Sequence, residues 1–391
     1  MTASTRDLPT EAPVPFALTE MSAEARAGVA RVLDSAWLTT GPEVAAFERE
    51  FAAWVGAEQA VAVSSCTAAI ELSLRALGLP AGAKVLVSTM TFCGAAHAIV
   101  HAGLQPVLAD IDPGTLMPGA ASTAAAARRA GGVDAMLVVH YAGQPAQVEQ
   151  LAAAAGVGLE RVVEDAAHAV GTWVGERPVG TISAATCFSF YATKNLPIGE
   201  GGMVTTADPR LAGYVQRARL HGMDRDAWKR YRPGSAWRYE VDLVGLKANM
   251  TDLQAAIGRG QLLHLRAWQR RREELARRYD RQLAGITGIR VPARPADGRH
   301  AWHLYVIGLD PAIDRDTVMR ELARRGVSCS VHFTPLHQLA CYRHLAGPGE
   351  GWLPNADAAA GSILSLPLYP SLSDRQLDLV CRELASLCRG P

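Results

Sequence analysis

The sequence predicts an α/β protein in which helices cover both faces of a mostly parallel, seven-stranded sheet. Two observations support this fold class: seven short apolar runs lie between residues 60 and 206, and helix-length stretches separate them. Strands buried on both faces show as continuous apolar runs, and parallel strands are joined by long crossovers that are usually helices. The seven runs are 60–63, 84–87, 106–109, 136–139, 161–164, 186–190 and 203–206.

The last third of the chain predicts a second, smaller unit. A long helical segment begins at Thr251, which has capping-box spacing with Gln254. Shorter patterns of strand and helix follow it, including the apolar run 303–307. We therefore expect a large domain at residues 15–265 and a small C-terminal α+β domain at residues 266–391.

Composition excludes several classes of protein. The chain has 391 residues, of which 49% are hydrophobic, and its 39 Lys and Arg nearly balance its 38 Asp and Glu. This balance disfavours nucleic-acid binding. No apolar run is long enough to span a bilayer, and the first residues lack the apolar region of a secretory signal. The seven cysteines form no CxxC pair. We expect a cytoplasmic protein without a membrane partner, a disulfide framework or a zinc ribbon.

Lys194 follows the sixth apolar run and precedes a glycine-rich segment, GEGG at 199–202. A lysine desolvated beyond a buried strand has a lowered pKa, and its amine becomes nucleophilic towards an aldehyde. The glycines allow the backbone to approach a ligand closely. A lysine after a strand is more often an ordinary surface residue. The interpretation therefore depends on the residues that follow the other strands.

Asp165 and His168 follow the fifth apolar run. A carboxylate in this position could pair with a pyridinium nitrogen and keep the ring protonated, so that the ring acts as an electron sink. The imidazole could donate to the phenolic oxygen of the same ring. Alternatively, Asp165 caps a helix and has no ligand.

An anion site and an aromatic face are predicted near the first two runs. Residues 64–67 (SSCT) lie between a strand and a helix, where backbone N–H groups and hydroxyls can bind a phosphate. Phe92 could stack on a pyridine ring. Alternatively, residues 64–67 only cap the helix, and Phe92 is an ordinary core residue. Taken together with Lys194 and Asp165, these groups are those that pyridoxal phosphate requires.

Longer motifs extend over most of the chain. They include SCTAA at 65–69, EDAAHA at 164–169, TDLQAAIG at 251–258, PLH at 335–337 and LPLYP at 366–370. With these motifs the chain resembles the DegT/DnrJ/EryC1/StrS family of sugar aminotransferases, which depend on pyridoxal 5′-phosphate and have fold type I.

The resemblance implies roles for the residues around the cofactor ring. Lys194 would form the Schiff base with the cofactor and shuttle protons. Asp165 would face the pyridine nitrogen, His168 would face the phenolic oxygen, and Phe92 would stack on the ring.

The resemblance also implies how the phosphate is held. Cys66 and Thr67, with the hydroxyl of Ser189, would bind it within one subunit. Asn249 would reach it from the partner subunit, because the active sites of this family lie at the interface of a homodimer. Many members carry Gly where this chain has Cys66, and a backbone N–H contact would survive that change.

The resemblance to one branch of the family suggests the substrates. The segment GLKANM at 245–250 is typical of enzymes that make 4-amino sugars on nucleotide carriers. The expected amino donor is L-glutamate, and the expected acceptor is dTDP-4-keto-6-deoxy-D-glucose, giving a dTDP-4-amino-4,6-dideoxy sugar for antibiotic or surface-polysaccharide biosynthesis. The candidate residues for contacts with this nucleotide keto sugar are Trp228, Lys247, His332 and His337.

Other functions remain as alternatives. A 3-keto sugar or a cyclitol ketone of the scyllo-inosose type could be the acceptor. Related dehydratases carry His at the position of Lys194, which argues against dehydration. A non-catalytic regulator is disfavoured because both Lys194 and Asp165 are retained.

Several unrelated chemistries are disfavoured by missing motifs. The sequence has no early GxGxxG for a nicotinamide cofactor and no GxSxG for a hydrolase. His97 and His101 have the spacing of metal ligands on a helix, but Ala98 stands where a zincin needs Glu. We therefore expect no metal site.

Overall fold

The computed structural model describes residues 13–223, 239–345 and 352–388. Seven strands form the main sheet, and a small hairpin is inserted between two of them in the chain. In chain order the strands are β1 (Gln59–Val63), β2 (Lys84–Ser88), β3 (Gln105–Ala109), β4 (Ala135–Val139), β5 (Val162–Asp165), β6 (Trp173–Val174), β7 (Arg177–Pro178), β8 (Ala185–Ser189) and β9 (Gly202–Thr206), with β6 and β7 forming the hairpin.

Helices precede, connect and follow these strands. They are α1 (Ala23–Asp34), α2 (Pro42–Val55), α3 (Cys66–Ala76), α4 (Cys93–His101), α5 (Ala120–Arg129), α6 (Val148–Ala155), α7 (Pro209–Ala218), α8 (Asp252–Leu262) and α9 (Leu265–Leu283). Strands β4, β8 and β9 are buried at every position. Because successive side chains of a strand point to opposite faces, this burial shows that both faces of the sheet are covered.

The main sheet has the order β1-β9-β8-β5-β4-β2-β3. All neighbouring pairs from β8 to β3 are parallel, whereas β9 is antiparallel to both β8 and β1. Since β9 alone is reversed, β1 runs in the same direction as the parallel strands. The predicted mostly parallel, seven-stranded sheet is confirmed, and each predicted run matches a strand to within one or two residues.

The C-terminal part adds a second layer of structure. Strands β10 (Ile289–Arg290), β11 (Tyr305–Leu309) and β12 (Ile363–Leu366) form an antiparallel sheet in the order β10-β11-β12. The accompanying helices are α10 (Arg315–Arg324), α11 (Pro354–Ser362) and α12 (Asp374–Cys388). A separate apolar cluster lies between these elements and α9, with Tyr279, Tyr305 and Leu384 fully buried in it. The division into domains at residues 15–265 and 266–391 stays a prediction.

Polar contacts stabilise the two helices that lead into this C-terminal part. The capping box at the start of α8 is confirmed, because Thr251 Oγ1 accepts from the Gln254 amide and Gln254 Oε1 accepts from the Thr251 amide. In α9, the buried Arg272 guanidinium donates to the carbonyl oxygens of Trp302 and Leu368 at 3.1 and 2.8 Å. Its burial lowers the pKa of Arg272 to about 10. Arg272 therefore ties α9 to the segments that precede β11 and follow β12.

Within the described ranges, no helix combines the length and the apolar character needed to cross a bilayer. In the same part of the chain, His, Cys, Asp and Glu side chains form no group of three or more that could hold a metal ion. The seven cysteines are all free thiols.

Candidate active site

A cavity of about 510 Å³ opens at the carboxyl ends of the parallel strands. This edge is where α/β sheets usually bind ligands. Eight of the predicted site residues line the cavity, although they come from distant parts of the chain. These residues are Cys66, Thr67, Phe92, Asp165, His168, Ser189, Lys194 and His332.

Lys194 lies in a turn after β8, where its amide donates to the Tyr191 carbonyl oxygen at 2.9 Å. Desolvation lowers the pKa of Lys194 to about 8, although the negative charge of Asp165 acts in the opposite direction. About a tenth of the Lys194 side chains are therefore free amines at pH 7, and the free amine is the form that attacks an aldehyde.

Asp165 is the last residue of β5 and is buried at the base of the cavity. Its Oδ1 accepts from the Ala167 amide at 3.0 Å and lies 3.7 Å from the Cys66 thiol. Burial raises the pKa of this carboxyl. Its Oδ2 has no hydrogen-bond partner among the described residues, yet it is not a fully enclosed atom. Asp165 therefore presents a free carboxylate oxygen to a cationic N–H in the cavity.

His168 is held in one tautomer. Its Nδ1 accepts from the Ala142 amide at 3.2 Å. Burial, together with the positive charge of Lys194, holds the pKa of His168 well below its ordinary value. The ring is thus neutral with its proton on Nε2, so it presents a hydrogen-bond donor.

An anion cradle lies at the start of α3. Ser65 caps this helix by accepting from the Ala68 amide at 3.1 Å, and the first-turn amides of Cys66 and Thr67 follow it. Strand β9 begins directly against this turn, since a Cβ on Gly202 would lie 2.5 Å from the Ser65 carbonyl group. Ser189, at the end of β8, accepts from the Tyr191 amide at 3.4 Å and keeps its hydroxyl proton available.

The Cys66 side chain is directed towards Asp165, and the phosphate contact predicted for Cys66 stays a prediction. Its sulfur lies 3.4 Å from the Cys187 carbonyl oxygen and 3.7 Å from Asp165 Oδ1. Burial, reinforced by the charge of Asp165, raises the pKa of the Cys66 thiol well above its usual value. The thiol is therefore neutral and directed towards Asp165, which leaves only the Cys66 backbone for an anion.

Two aromatic rings border the cavity. Phe92 precedes α4 and is 59% exposed, which is unusual for phenylalanine and leaves its ring face open to a ligand. Phe333 packs against it at a centroid distance of 6.0 Å and stacks on His168 at 5.8 Å. These rings form an apolar wall beside Lys194 and Asp165.

His332 and His337 are placed differently. His332 lines the cavity, its Nδ1 is 2.9 Å from Ser365 Oγ, and burial lowers its pKa to about 4. His337 does not line the cavity. Its Nδ1 is 2.8 Å from Thr89 Oγ1 and its Nε2 is 2.8 Å from Asp357 Oδ1, so both nitrogens are already used in holding two loops together. The substrate contact predicted for His337 stays a prediction, and it would require one of these two hydrogen bonds to be exchanged.

Lys247 and Asn249 lie outside the cavity. Asn249 Nδ2 donates to Thr40 Oγ1 at 2.7 Å, and its Oδ1 accepts from the exposed Lys247 ammonium. Trp228 lies outside the described residues. The predicted contacts of these three residues with a phosphate or a substrate stay predictions.

His303 lines the cavity and was not among the predicted site residues. It lies just before β11, and its ring centroid is 4.4 Å from that of His168. The sequence offered only an apolar run at this point, because the position depends on contacts between distant segments.

Comparison with known proteins places this site in a family. The model of the DegT/DnrJ/EryC1/StrS aminotransferase family matches residues 19–385. The chain is 44% identical over 381 residues to the spore coat polysaccharide biosynthesis protein SpsC of Bacillus subtilis (strain 168), a match that spans 96% of this chain and 97% of SpsC.

Solved structures agree with this result. The putative sugar aminotransferase Spr1654 from Streptococcus pneumoniae, in its PMP form, is similar with a TM-score of 0.87 and 30% identity over 96% of this chain and 99% of that one. The aminotransferase TlmJ from Streptoalloteichus hindustanus has a TM-score of 0.85 and 35% identity over 96% and 98% of the two chains.

The side chains in the cavity fit pyridoxal phosphate, because they offer an amine, a free carboxylate oxygen, an aromatic face and an anion cradle. Family, fold and cofactor predicted from the sequence are thereby confirmed. The chain belongs to the DegT/DnrJ/EryC1/StrS aminotransferase family, whose members are pyridoxal-phosphate-dependent sugar aminotransferases of fold type I.

Proposed function

We propose that the enzyme transfers an amino group from L-glutamate to a nucleotide-linked keto sugar, namely dTDP-4-keto-6-deoxy-D-glucose. The product would be a dTDP-4-amino-4,6-dideoxy sugar used for surface polysaccharides or antibiotics. The similarity to a spore coat polysaccharide biosynthesis protein supports a role of this kind. The observation that carries the proposal is the pKa of about 8 of Lys194 in a cavity that also holds the free Oδ2 of Asp165.

The cofactor supplies an aldehyde that carries the amino group and a protonated ring that withdraws electrons. The residues of this chain hold it. Asp165 Oδ2 would accept from the ring nitrogen, His168 Nε2–H would donate to the phenolic oxygen, and Phe92 would cover one face of the ring. The first-turn amides of Cys66 and Thr67, with the hydroxyl of Ser189, would bind the phosphate.

Lys194 moves the protons. As a free amine, Lys194 Nζ would take a proton from the carbon that bears the amino group of the donor, and as an ammonium group it would give that proton to the former aldehyde carbon of the cofactor. A pKa of about 8 keeps both forms populated near neutral pH. The reverse sequence of proton movements then delivers the amino group to the keto sugar.

The keto sugar and the partner subunit complete the site. We assign His332 to the sugar, because it lines the cavity, and Lys247 and Trp228 to the diphosphate. Asn249 would contact the cofactor phosphate of the partner subunit in a homodimer. Tyr239, Val241 and Val244 lie within six residues of one another and are 47%, 54% and 89% exposed, and this grouping of exposed apolar side chains supports a second subunit at this surface. The cytoplasmic location stays a prediction.

The proposed reaction can be tested in two half-reactions. The protein is first loaded with pyridoxamine phosphate and then mixed with a panel of nucleotide-linked 4-keto sugars, 3-keto sugars and cyclitol ketones. We expect the visible absorbance of the aldehyde form of the cofactor to return only with 4-keto sugars, and NMR of the product to show an amine at C4. Turnover restricted to 3-keto sugars or cyclitol ketones would show that the assigned acceptor is wrong.

A further inference from the structure

Two histidines lie side by side on the wall of the cavity. The ring centroids of His168 and His303 are 4.4 Å apart, with an angle of 38° between the rings. Both side chains are less than one-tenth exposed and both line the cavity. The proposed function uses only His168, so the role of His303 is open.

The tautomer of His303 follows from its contact with Asn195. The Asn195 amino group donates to the Ala301 carbonyl oxygen at 2.9 Å, and a carbonyl oxygen can only accept. The amide oxygen of Asn195 therefore faces His303, 3.1 Å from its Nδ1. Because that oxygen also can only accept, His303 Nδ1 must carry the proton.

The ring of His303 is neutral. Burial, together with the positive charges of the groups around it, holds the pKa of His303 well below its ordinary value. A neutral imidazole with its proton on Nδ1 has a lone pair on Nε2. This is the opposite of His168, whose proton lies on Nε2 because the Ala142 amide donates to its Nδ1.

Both rings are fixed to the same turn. The Ala142 amide holds His168, and the Ala142 carbonyl oxygen accepts from the His303 amide at 3.0 Å. Ala142 is buried and has a φ of 59°, a left-handed conformation that a residue other than glycine keeps only when its surroundings determine it. The donor of one ring and the acceptor of the other are thus held in a fixed relative position.

We propose that His303 is a specificity-determining residue whose Nε2 accepts a hydrogen bond from a ring hydroxyl of the keto sugar. His303 Nε2 has no partner among the described residues and is not a fully enclosed atom. A lone pair in this position repels carbonyl, carboxylate and phosphate oxygens, which carry no proton to donate. A hydroxyl of the acceptor is the group that satisfies it. This inference rests on the proposed function and adds a requirement about the substrate.

The test compares substrates rather than absolute rates. For each enzyme variant, kcat/KM is measured with the parent keto sugar and with analogues that each lack one ring hydroxyl. For the wild type we expect kcat/KM with one of the analogues to be lower than with the parent sugar by about tenfold or more, because a buried acceptor then loses its hydrogen bond. In His303→Phe the ratio of kcat/KM for the parent sugar to kcat/KM for that analogue should approach one. His303→Gln retains a hydrogen-bond acceptor, so its ratio should lie between that of His303→Phe and that of the wild type.

Using a ratio within each variant cancels changes in cofactor loading and in folded fraction. The matched control is His300→Phe, because His300 stacks on Trp302 at 3.9 Å and does not line the cavity. This control should keep the wild-type ratio.

Two outcomes would overturn the inference. If His303→Phe discriminates between the two sugars as strongly as the wild type, no hydroxyl contacts His303. If His303→Phe instead slows the half-reaction with L-glutamate and the half-reaction with the sugar equally, the imidazole acts on Lys194. A wild-type enzyme that fails to react with L-glutamate at all would refute the proposed function, which is a distinguishable result.

Discussion

The reactivity of Lys194 depends on two effects that act in opposite directions. Burial removes water from the ammonium form and lowers the pKa, while the carboxylate of Asp165 stabilises that form and raises it. Burial dominates, so that the pKa of Lys194 is about 8. The side chain can therefore change its protonation state within the physiological range without a further base.

The pH dependence of cofactor capture tests this balance. Below pH 8 the amine is mostly protonated, so each unit of falling pH should slow the reaction of apo-protein with pyridoxal phosphate by about tenfold, and the rate should level off above pH 8. Stopped-flow absorbance gives the profile. In Asp165→Asn the midpoint should move to lower pH, because the charge that raises the pKa of Lys194 is lost. A midpoint near pH 10 in the wild type would contradict the burial argument.

Asp165 is expected to contribute to the affinity for the cofactor as well as to the rate of transamination. In Asp165→Asn the ring nitrogen loses its charged partner, so cofactor binding should weaken by about 10- to 100-fold, and transamination should fall further. Equilibrium titration with the cofactor, monitored by protein fluorescence, measures this affinity. The control is Asp252→Asn, since Asp252, the first residue of α8, is also little exposed but accepts from the Val44 amide in the first turn of α2. That control should lower thermal stability and leave cofactor affinity unchanged.

At the scale of elements, the junction between β9 and α3 leaves no room for a side chain. A Cβ at Gly202 would lie 2.5 Å from the Ser65 carbonyl carbon and 2.7 Å from the Cys66 nitrogen. These are backbone atoms, which cannot move aside as a flexible side chain can. The close approach sets the position of the helix end that we propose for phosphate binding.

Gly202→Ala should therefore destabilise the protein by about 1–3 kcal/mol and also weaken cofactor binding. Gly213→Ala is the matched control, because Gly213 lies within α7 and an added Cβ meets nothing within 4 Å. That substitution should stabilise the protein by about 0.5–1 kcal/mol. Thermal or denaturant unfolding measures the change in stability of both variants. Equal changes in the two variants would exclude a clash at Gly202.

The elements also show how far the sequence could predict the site. Lys194, Asp165 and His168 could be placed because they follow apolar runs that end at one edge of the sheet. The direction of the Cys66 side chain could not be predicted, since it depends on how α3 packs against β5. His303 was missed for a related reason: its position depends on a turn at Ala142 that is far away in sequence.

At the scale of the whole molecule, the proposed homodimer makes a specific prediction about shared sites. Suppose that Lys194→Ala and Asn249→Ala proteins are mixed, unfolded and refolded together. Half of the dimers should be hybrids, and each hybrid should contain one site with both native residues, so about a quarter of all sites should be intact. The mixture should then be more active than either parent by a transaminase assay. No gain in activity would show that Asn249 acts within its own subunit.

The reversed strand β9 has a consequence for how the protein is made. It is the last strand of the main sheet to be synthesised, yet it lies between β1 and β8. The helix end that follows β1 and the turn that carries Lys194 reach their final relative position once this strand has paired with both older ones. Long-range pairing of this kind is slow, and a nascent chain with an unfilled gap exposes unpaired strand edges. Cofactor capture by the growing chain should thus begin only after residue 206 has left the ribosome, which makes the yellow colour of the cofactor a marker for completion of the sheet.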